Sequence, residues 1–407
     1  MSAISFPARG DADVNTTAGR RLRVAHVTVT PEFVAKILIH DLRRLAAHSD
    51  ATIVCVDGEA LAPVRAEGFR VINFDAERKI DPMQDVRSIW QLWRILRRLR
   101  VDVLHTYAPK GGFVGQIAGA LARVPRRIHS CRGIVTGERM PRWKVAAARL
   151  ADRLTNALAD RVLFVSAADL RFSVERGLAS ADKVQHQGSG IDLAIFARAR
   201  ASATARARIR AELGIRQDAF VALTVGRYVE DKGYREIAAA ARELHGAFPR
   251  LHFLWVAPVM SGEDGVLPDD FIAGSGLAGV VTRVGMRDDM ADLYAAADVL
   301  VHASHREGVP RVVMESAAMG LPIIASDIPG NREVVADGQT ALFFAVRDAG
   351  RLAAQLRFAM ENATPISAMA ERARTHVQHH FDQDRLSERV WGVYRDMVGD
   401  TPMHPAA

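Results

Sequence analysis

Glu307 and Glu315 are two carboxylates separated by seven residues in the run SHREGVPRVVMESAAMGLPIIASDIPG, residues 304–330. A helix start lies between them. Pro310 suits the first helical position, where a missing N–H costs nothing. Gly320 followed by Leu321-Pro322 reads as a stop. The spacing predicts a helix over residues 310–319, with Glu307 on the loop that feeds it and Glu315 about one turn inside. Such an N-terminus presents the N–H groups of Arg311, Val312 and Val313 together with the positive end of the helix dipole. That is an anion site sized for a diphosphate. Glu307 could accept hydrogen bonds from sugar hydroxyls, and Glu315 from a ribose. Neither should touch the phosphates, because like charges repel. These are the parts of a nucleotide-sugar site.

A second motif, VGRYVEDKGYREI over residues 225–237, offers cations for the same anion. A strand ending at Gly226 and a helix starting near Gly233 would put Arg227 and Lys232 at a strand's carboxyl end, where open α/β sheets bind ligands. Arginine meets a diphosphate as a bidentate fork and lysine as a point charge. In the N-terminal half, HTYAPKGG places His105 at a strand end and Lys110, Gly111 and Gly112 at a helix start. An anionic acceptor could dock there.

The elements that must hold these residues alternate from residue 21 onward. LRVAHVTV, ATIVCV, FRVINF, VDVLHTY, RRIHSC and RVLFVS read as strands with helices between them. The pattern weakens over residues 188–217. It resumes with AFVALTVGR, LHFLWVA, VVTRVG, DVLVHAS, PIIAS and TALFF. Near-continuous apolar strands separated by helices imply parallel sheets covered on both faces. Two doubly wound halves in tandem follow.

The chain has 407 residues, 25% of them charged, with a net charge of +7. That length suits two domains. No apolar run is long enough to span a bilayer. The first twenty residues lack the apolar core of a secretory signal and read as a disordered tail. Cys55 and Cys131 form no metal or redox spacing and read as buried thiols of a reducing cytosol. The basic balance admits nucleic acid, anionic membrane or phosphorylated substrate. Nucleic acid is set aside because no interleaved aromatic and basic pattern occurs. RSIWQLWRILRRLR, residues 87–100, combines helical apolar spacing with five arginines. It reads first as a core-packed helix with snorkelling arginines, and second as a helix lying on an anionic bilayer.

Residues 307–338, EGVPRVVMESAAMGLPIIASDIPGNREVVADG, resemble the E-x7-E signature of retaining glycosyltransferases of family 4 almost position by position. Gly226-Arg227 and Lys232-Gly233 are similar to that family's G-R…K-G pair. HTYAPKGG resembles the H-T-x-x-P-K-[AG]-G loop of relatives that build bacterial surface polysaccharides. The resemblance implies a GT-B fold: two Rossmann-like doubly wound domains facing across a cleft, with a C-terminal helix returning to the first. The expected division is a tail at 1–20, an acceptor-binding domain at 21–195, a nucleotide-sugar-binding domain at 196–380, and the returning helix and tail at 381–407.

The implied reaction is retaining, metal-independent transfer from a nucleoside-diphosphate sugar, UDP-linked, to a carbohydrate acceptor. That acceptor would be a lipid-linked oligosaccharide at the inner face of a bacterial membrane. The protein would be cytoplasmic, with peripheral membrane contact open. Neither cofactor nor metal is expected, and Asp269-Asp270 and Asp288-Asp289 read as turn or cap residues. Glu307, Arg227 and Lys232 carry catalysis on this reading. Gly226, Arg311, Val312, Val313 and Glu315 join them at the donor, and the loop of Met286 and Arg287 meets the base. His105, Lys110, Gly111, Gly112, His129 and Arg132 fall on the acceptor side.

Two departures stand out. TVTPEFVAK follows the first strand without the glycine pair many relatives carry there. Arg132 stands where many relatives place a histidine, and it cannot act as a base near neutral pH. A GT-B epimerase or phosphorylase, and a silent nucleotide-sugar-binding subunit, are the alternatives. A dinucleotide oxidoreductase lacks its G-x-G-x-x-G.

Overall fold

The computed structural model describes residues 21–77, 81–134, 141–200, 204–259 and 264–399. The tail expected over residues 1–20 lies outside them. Two parallel sheets organise the chain. The first contains β1 (Leu22–Thr28), β2 (Ser49–Cys55), β3 (Arg70–Asn73), β4 (Val103–Tyr107), β5 (Arg126–Cys131), β6 (Arg161–Phe164) and β7 (Val184–His186), in the order β3-β2-β1-β4-β5-β6-β7. The second contains β8 (Phe220–Val225), β9 (Leu251–Val256), β10 (Val281–Val284), β11 (Val299–His302), β12 (Ile323–Ser326) and β13 (Leu342–Phe344), in the order β10-β9-β8-β11-β12-β13. Each order reverses once, between β1 and β4 and between β8 and β11. These are the crevices where doubly wound sheets take ligands. The buried apolar strands make both sheets legible in sequence; β7, short and mostly exposed, gives no such signal.

The two domains are joined at two crossings that lie side by side. Ile191 and Asp382 form a parallel bridge, with Ile191 N–H donating to Phe381 O at 3.0 Å and Gln383 N–H to Ile191 O at 3.1 Å. Gly190 permits this approach, since a Cβ there would stand 2.4 Å from Leu386 and 3.0 Å from the Phe381 carbonyl. The Ala363–His380 helix packs in the second domain through Ala373 and Val377. The Gln383–Val398 helix then returns to the first domain. Its Val390, Trp391, Val393, Tyr394 and Met397 share a core with Leu22, Val24, Val103, Ile128 and Leu163.

No helix among the described residues is long and apolar enough to cross a membrane. Cys55 and Cys131 are free thiols whose pKa burial pushes up to about 12.

Candidate active site

The β8–β11 crevice assembles the second-domain residues. β8 ends at Val225 and releases Gly226 and the exposed Arg227; β11 ends at His302 and releases the loop to Glu307. A left-handed Gly233, φ 75°, turns the chain from the Glu230–Lys232 turn into the Tyr234–His245 helix. A Cβ on Gly233 would meet the Ala303 carbonyl at 2.2 Å, so only glycine lets the two loops close on each other. They are then tied by His305 N–H to Asp231 O at 2.8 Å and by the His305 ring to Glu236 at 2.9 Å. On the far side, a Cβ on Gly330 would press on the Gly308 and Glu307 carbonyls at 2.5 and 2.7 Å, so this glycine too supports the Glu307 loop by close approach.

Lys232 and Glu307 form an ion pair. Ser304 donates to the same carboxylate at 3.1 Å, and His302 Nε2 stands 3.6 Å from it. Burial alone would raise the Glu307 pKa. The Lys232 ammonium and His302 outweigh it and hold the carboxyl well below the usual range, so Glu307 is an anion at neutral pH.

The helix behind it spans Arg311–Met319. Pro310 is its N-cap rather than its first helical residue, because its ψ of 113° is extended. The start therefore falls one residue later than the sequence predicts. The Val313 N–H is also not open as expected: it donates to Pro310 O at 3.2 Å. Arg311 and Val312 head the helix, where N–H groups have no intrahelical acceptor. Gly320 closes the helix at φ 70°, as its position predicts. Glu315 accepts from Tyr294 Oη at 2.8 Å and pairs with Arg311 at 3.4 Å. Burial raises its pKa, and Arg311 and Tyr294 offset only part of that rise. Arg311 also donates to Gly190 O at 3.0 Å, which links this helix to the interdomain crossing.

The loop after β10 is placed at the domain boundary. The Arg287 side chain is held by Asp289 at 2.6 Å and by Glu212 at 2.6 Å. Met286 is exposed and its sulfur lies 3.6 Å from Lys36 Nζ of the first domain; Lys36 also pairs with Asp288 at 3.6 Å. Lys36 belongs to the π-helical turn Val34–Leu38, in the segment that follows β1.

The first-domain residues divide. His105 does not face the cleft. It is fully buried, with Tyr394 Oη of the returning helix at 2.6 Å and Ser130 Oγ at 2.8 Å. Burial, with His26, His129 and Arg132 nearby, holds its pKa well below the ordinary value. His129 is buried too, bonded to Thr106 Oγ1 at 3.0 Å, its pKa pushed down to about 4 by burial. A Cβ on Gly112 would overlap the His129 ring at 2.4 Å, and one on Gly111 would stand 3.1 Å from the Thr28 backbone. The glycine pair thus seats its helix on the sheet. Lys110 is ion-paired with Asp85 of the preceding helix rather than standing clear for an anion.

Arg132, unlike His105 and His129, stands at the boundary with the second domain. Its guanidinium lies 4.8 Å over the Phe33 ring, and its carbonyl stands 3.7 Å from where a Gly308 Cβ would be. Burial lowers its pKa, Asp41 raises it and Arg311 lowers it, so cations from both domains converge here. Ser166 Oγ and the Ala168 N–H donate to Glu333 at 2.9 and 2.8 Å, a further cross-domain contact. Tyr294 and Glu333 escape sequence reasoning because each acts on a residue remote in sequence, Glu315 and Ser166. His302 and Ser304 stand within five positions of Glu307 and escape it although they flank the motif.

Comparison with known proteins agrees with this geometry. Residues 205–376 match the family model described as glycosyl transferases group 1, and residues 34–186 match the glycosyl transferase 4-like domain. A D-inositol 3-phosphate glycosyltransferase of Thermomonospora curvata is 30% identical over 328 residues, 74% of this chain and 73% of its own. The chain belongs to the group 1 glycosyltransferases. This glycosyltransferase is also 23% identical over 388 residues to a UDP-Gal:alpha-D-GlcNAc-diphosphoundecaprenol alpha-1,3-galactosyltransferase of Escherichia coli, 93% of this chain and 98% of that one. Anabaena HepE, solved in complex with UDP-glucose, superposes with a TM-score of 0.80 at 19% identity, covering 92% of this chain and all of HepE. The glycosyltransferase has the GT-B fold that these structures share.

Proposed function

We propose that this glycosyltransferase moves a sugar from a UDP-sugar to a lipid-linked carbohydrate acceptor, with retention at the anomeric carbon and without a metal. The observation that carries the donor half is the Lys232–Glu307 pair beside the Arg311–Met319 helix start at the β8–β11 switch point. Arg227, Lys232 and the first helix N–H groups stabilise the departing diphosphate, the main electrostatic task of the reaction. Glu307 receives hydroxyls of the donor sugar and Glu315 those of the ribose. Retention follows from attack on the face that the diphosphate leaves, with the leaving oxygen taking the acceptor proton. The diphosphoundecaprenol acceptor in the Escherichia coli relative's name supports a polyprenyl-linked acceptor.

The test is a matrix of UDP-sugars against diphosphopolyprenyl acceptors, read by mass spectrometry, with and without EDTA. Transfer from one UDP-sugar that persists in EDTA is expected. UDP-sugar turnover without any acceptor would point to an epimerase instead, and loss of transfer in EDTA restored by magnesium would end the metal-free reading.

A further inference from the structure

Large exposed apolar side chains gather on one face of the first domain. Met83, Val86 and Trp90 form the outer row of the Pro82–Leu99 helix, at 72, 66 and 53% exposure. Trp143, Leu150 and Leu154 form the outer row of the Arg142–Leu158 helix, at 66, 69 and 41%. The Pro109–Leu121 helix runs between them and packs on both. It carries no charged residue after Lys110, and its own outer row is Phe113, Ile117 and the exposed Leu121. Leu92 and Leu96 already fill the inward face of the first of these helices, so its outer row is additional to the core.

Cations interleave with these rows. Arg87, Arg94, Arg97 and Arg98 are exposed on one helix, and Arg142, Lys144 and Arg153 on the other. Arg94 lies 4.6 Å over the Trp90 ring, and Lys144 5.5 Å over that of Trp143. The acids of the three helices do not answer them: Asp85 is buried against Lys110, and Asp152 is half-buried.

We infer that this three-helix face docks on an anionic lipid bilayer. Large exposed apolar side chains gathered on one face and rimmed by charges mark an interaction site. Tryptophan and leucine rows set among arginines suit the boundary between acyl chains and anionic headgroups. A second copy of the chain is disfavoured, because pairing two such faces would bring like charges together. Each of these helices starts at the carboxyl edge of the sheet, so Met83 and Trp143 stand at the edge where the cleft opens. The inference stands on the exposed face and does not need the transferase reading. If that reading holds, the contact brings the cleft mouth to the membrane plane.

The full chain is tested by flotation with phosphatidylcholine vesicles, with and without phosphatidylglycerol. Binding is expected only with phosphatidylglycerol, weakening as salt rises. Brominated acyl chains should quench tryptophan fluorescence. A Trp90→Ser, Trp143→Ser, Leu150→Ser variant, folded by circular dichroism, should lose about tenfold or more in vesicle affinity. UDP calorimetry on the same two proteins keeps the readings apart, because the altered residues lie outside the β8–β11 crevice. No flotation on any vesicle overturns the inference, as does unchanged binding in the triple variant. A dimer in sedimentation equilibrium that the triple variant dissolves overturns it in favour of a second copy.

Discussion

Replacing Glu307 with glutamine removes one charge from a pair whose side chains remain 22% and 16% exposed. Two unit charges at contact distance attract by about 4 kcal/mol at an effective dielectric of 20. Exposed pairs realise about 0–1 kcal/mol of this, while breaking a fully buried pair costs about 3–5 kcal/mol. With a fifth of each side chain facing water, Glu307→Gln should cost about 2 kcal/mol of stability at neutral pH. The Ser304 hydrogen bond survives, because a glutamine oxygen still accepts it. The cost has a pH signature. Lys232 and His302 hold the Glu307 carboxyl below its unfolded pKa, so its contribution is complete above the ordinary carboxylate range and lost as pH falls through the folded value. Urea unfolding of both proteins at neutral and at acid pH reads it: the wild-type advantage should shrink in acid. On the proposed reading the variant also leaves Lys232 without its carboxylate, so UDP should bind no more weakly than to wild type. Sugar transfer should fall by roughly two orders of magnitude. Equal stability of the two proteins at neutral pH, or a difference that does not change in acid, would refute the electrostatic argument. UDP affinity falling as sharply as in Glu315→Gln would refute the placement of Glu307 at the sugar.

Glu315→Gln should weaken UDP by about 1.5–3 kcal/mol, the worth of hydrogen bonds to a charged acceptor; calorimetry with UDP alone checks it. The same titration on Arg227→Ala should lose a similar amount, about 1.5–3 kcal/mol, and an unchanged affinity would remove Arg227 from the site. Gly233→Ala puts a Cβ 2.2 Å from the Ala303 carbonyl at a φ of 75°. It should destabilise by more than about 1 kcal/mol in urea unfolding and impair transfer, whereas Gly246→Ala, with open space around it, should not.

Local signals carried far in this chain. In the second sheet β8, β9, β11, β12 and β13 are largely buried runs, while β10 is half-buried. The glycine stop of the Arg311–Met319 helix is readable because a left-handed residue must end it. Contacts that join distant segments are not readable in this way. Nothing near Lys232 announces Glu307, 75 positions on, and nothing near His105 announces Tyr394, 289 positions on. The same blindness misplaces Lys110: its helix start resembles an anion site, but Asp85 on the neighbouring helix neutralises it. Gly111 and Gly112 likewise look like ligand glycines and prove to be packing glycines.

The returning helix sets an order on synthesis. Domains commonly fold as they emerge, the N-terminal one first. Here the first domain is made first and finished last, because one wall of its core is residues 383–398. Until Trp391 and Tyr394 arrive, Leu22, Val24, Val103, Ile128 and Leu163 lack their cover, and His105 lacks one of its buried partners. Each large side chain left uncovered forfeits about 1.5–3 kcal/mol. A nascent chain paused near residue 380 therefore holds a complete second sheet behind a half-closed first one. Ribosome stalling before residue 383 exposes more apolar surface than stalling midway through a self-contained domain, and a chaperone that rides on the nascent chain must stay bound to the first domain until the Gln383–Val398 helix has emerged.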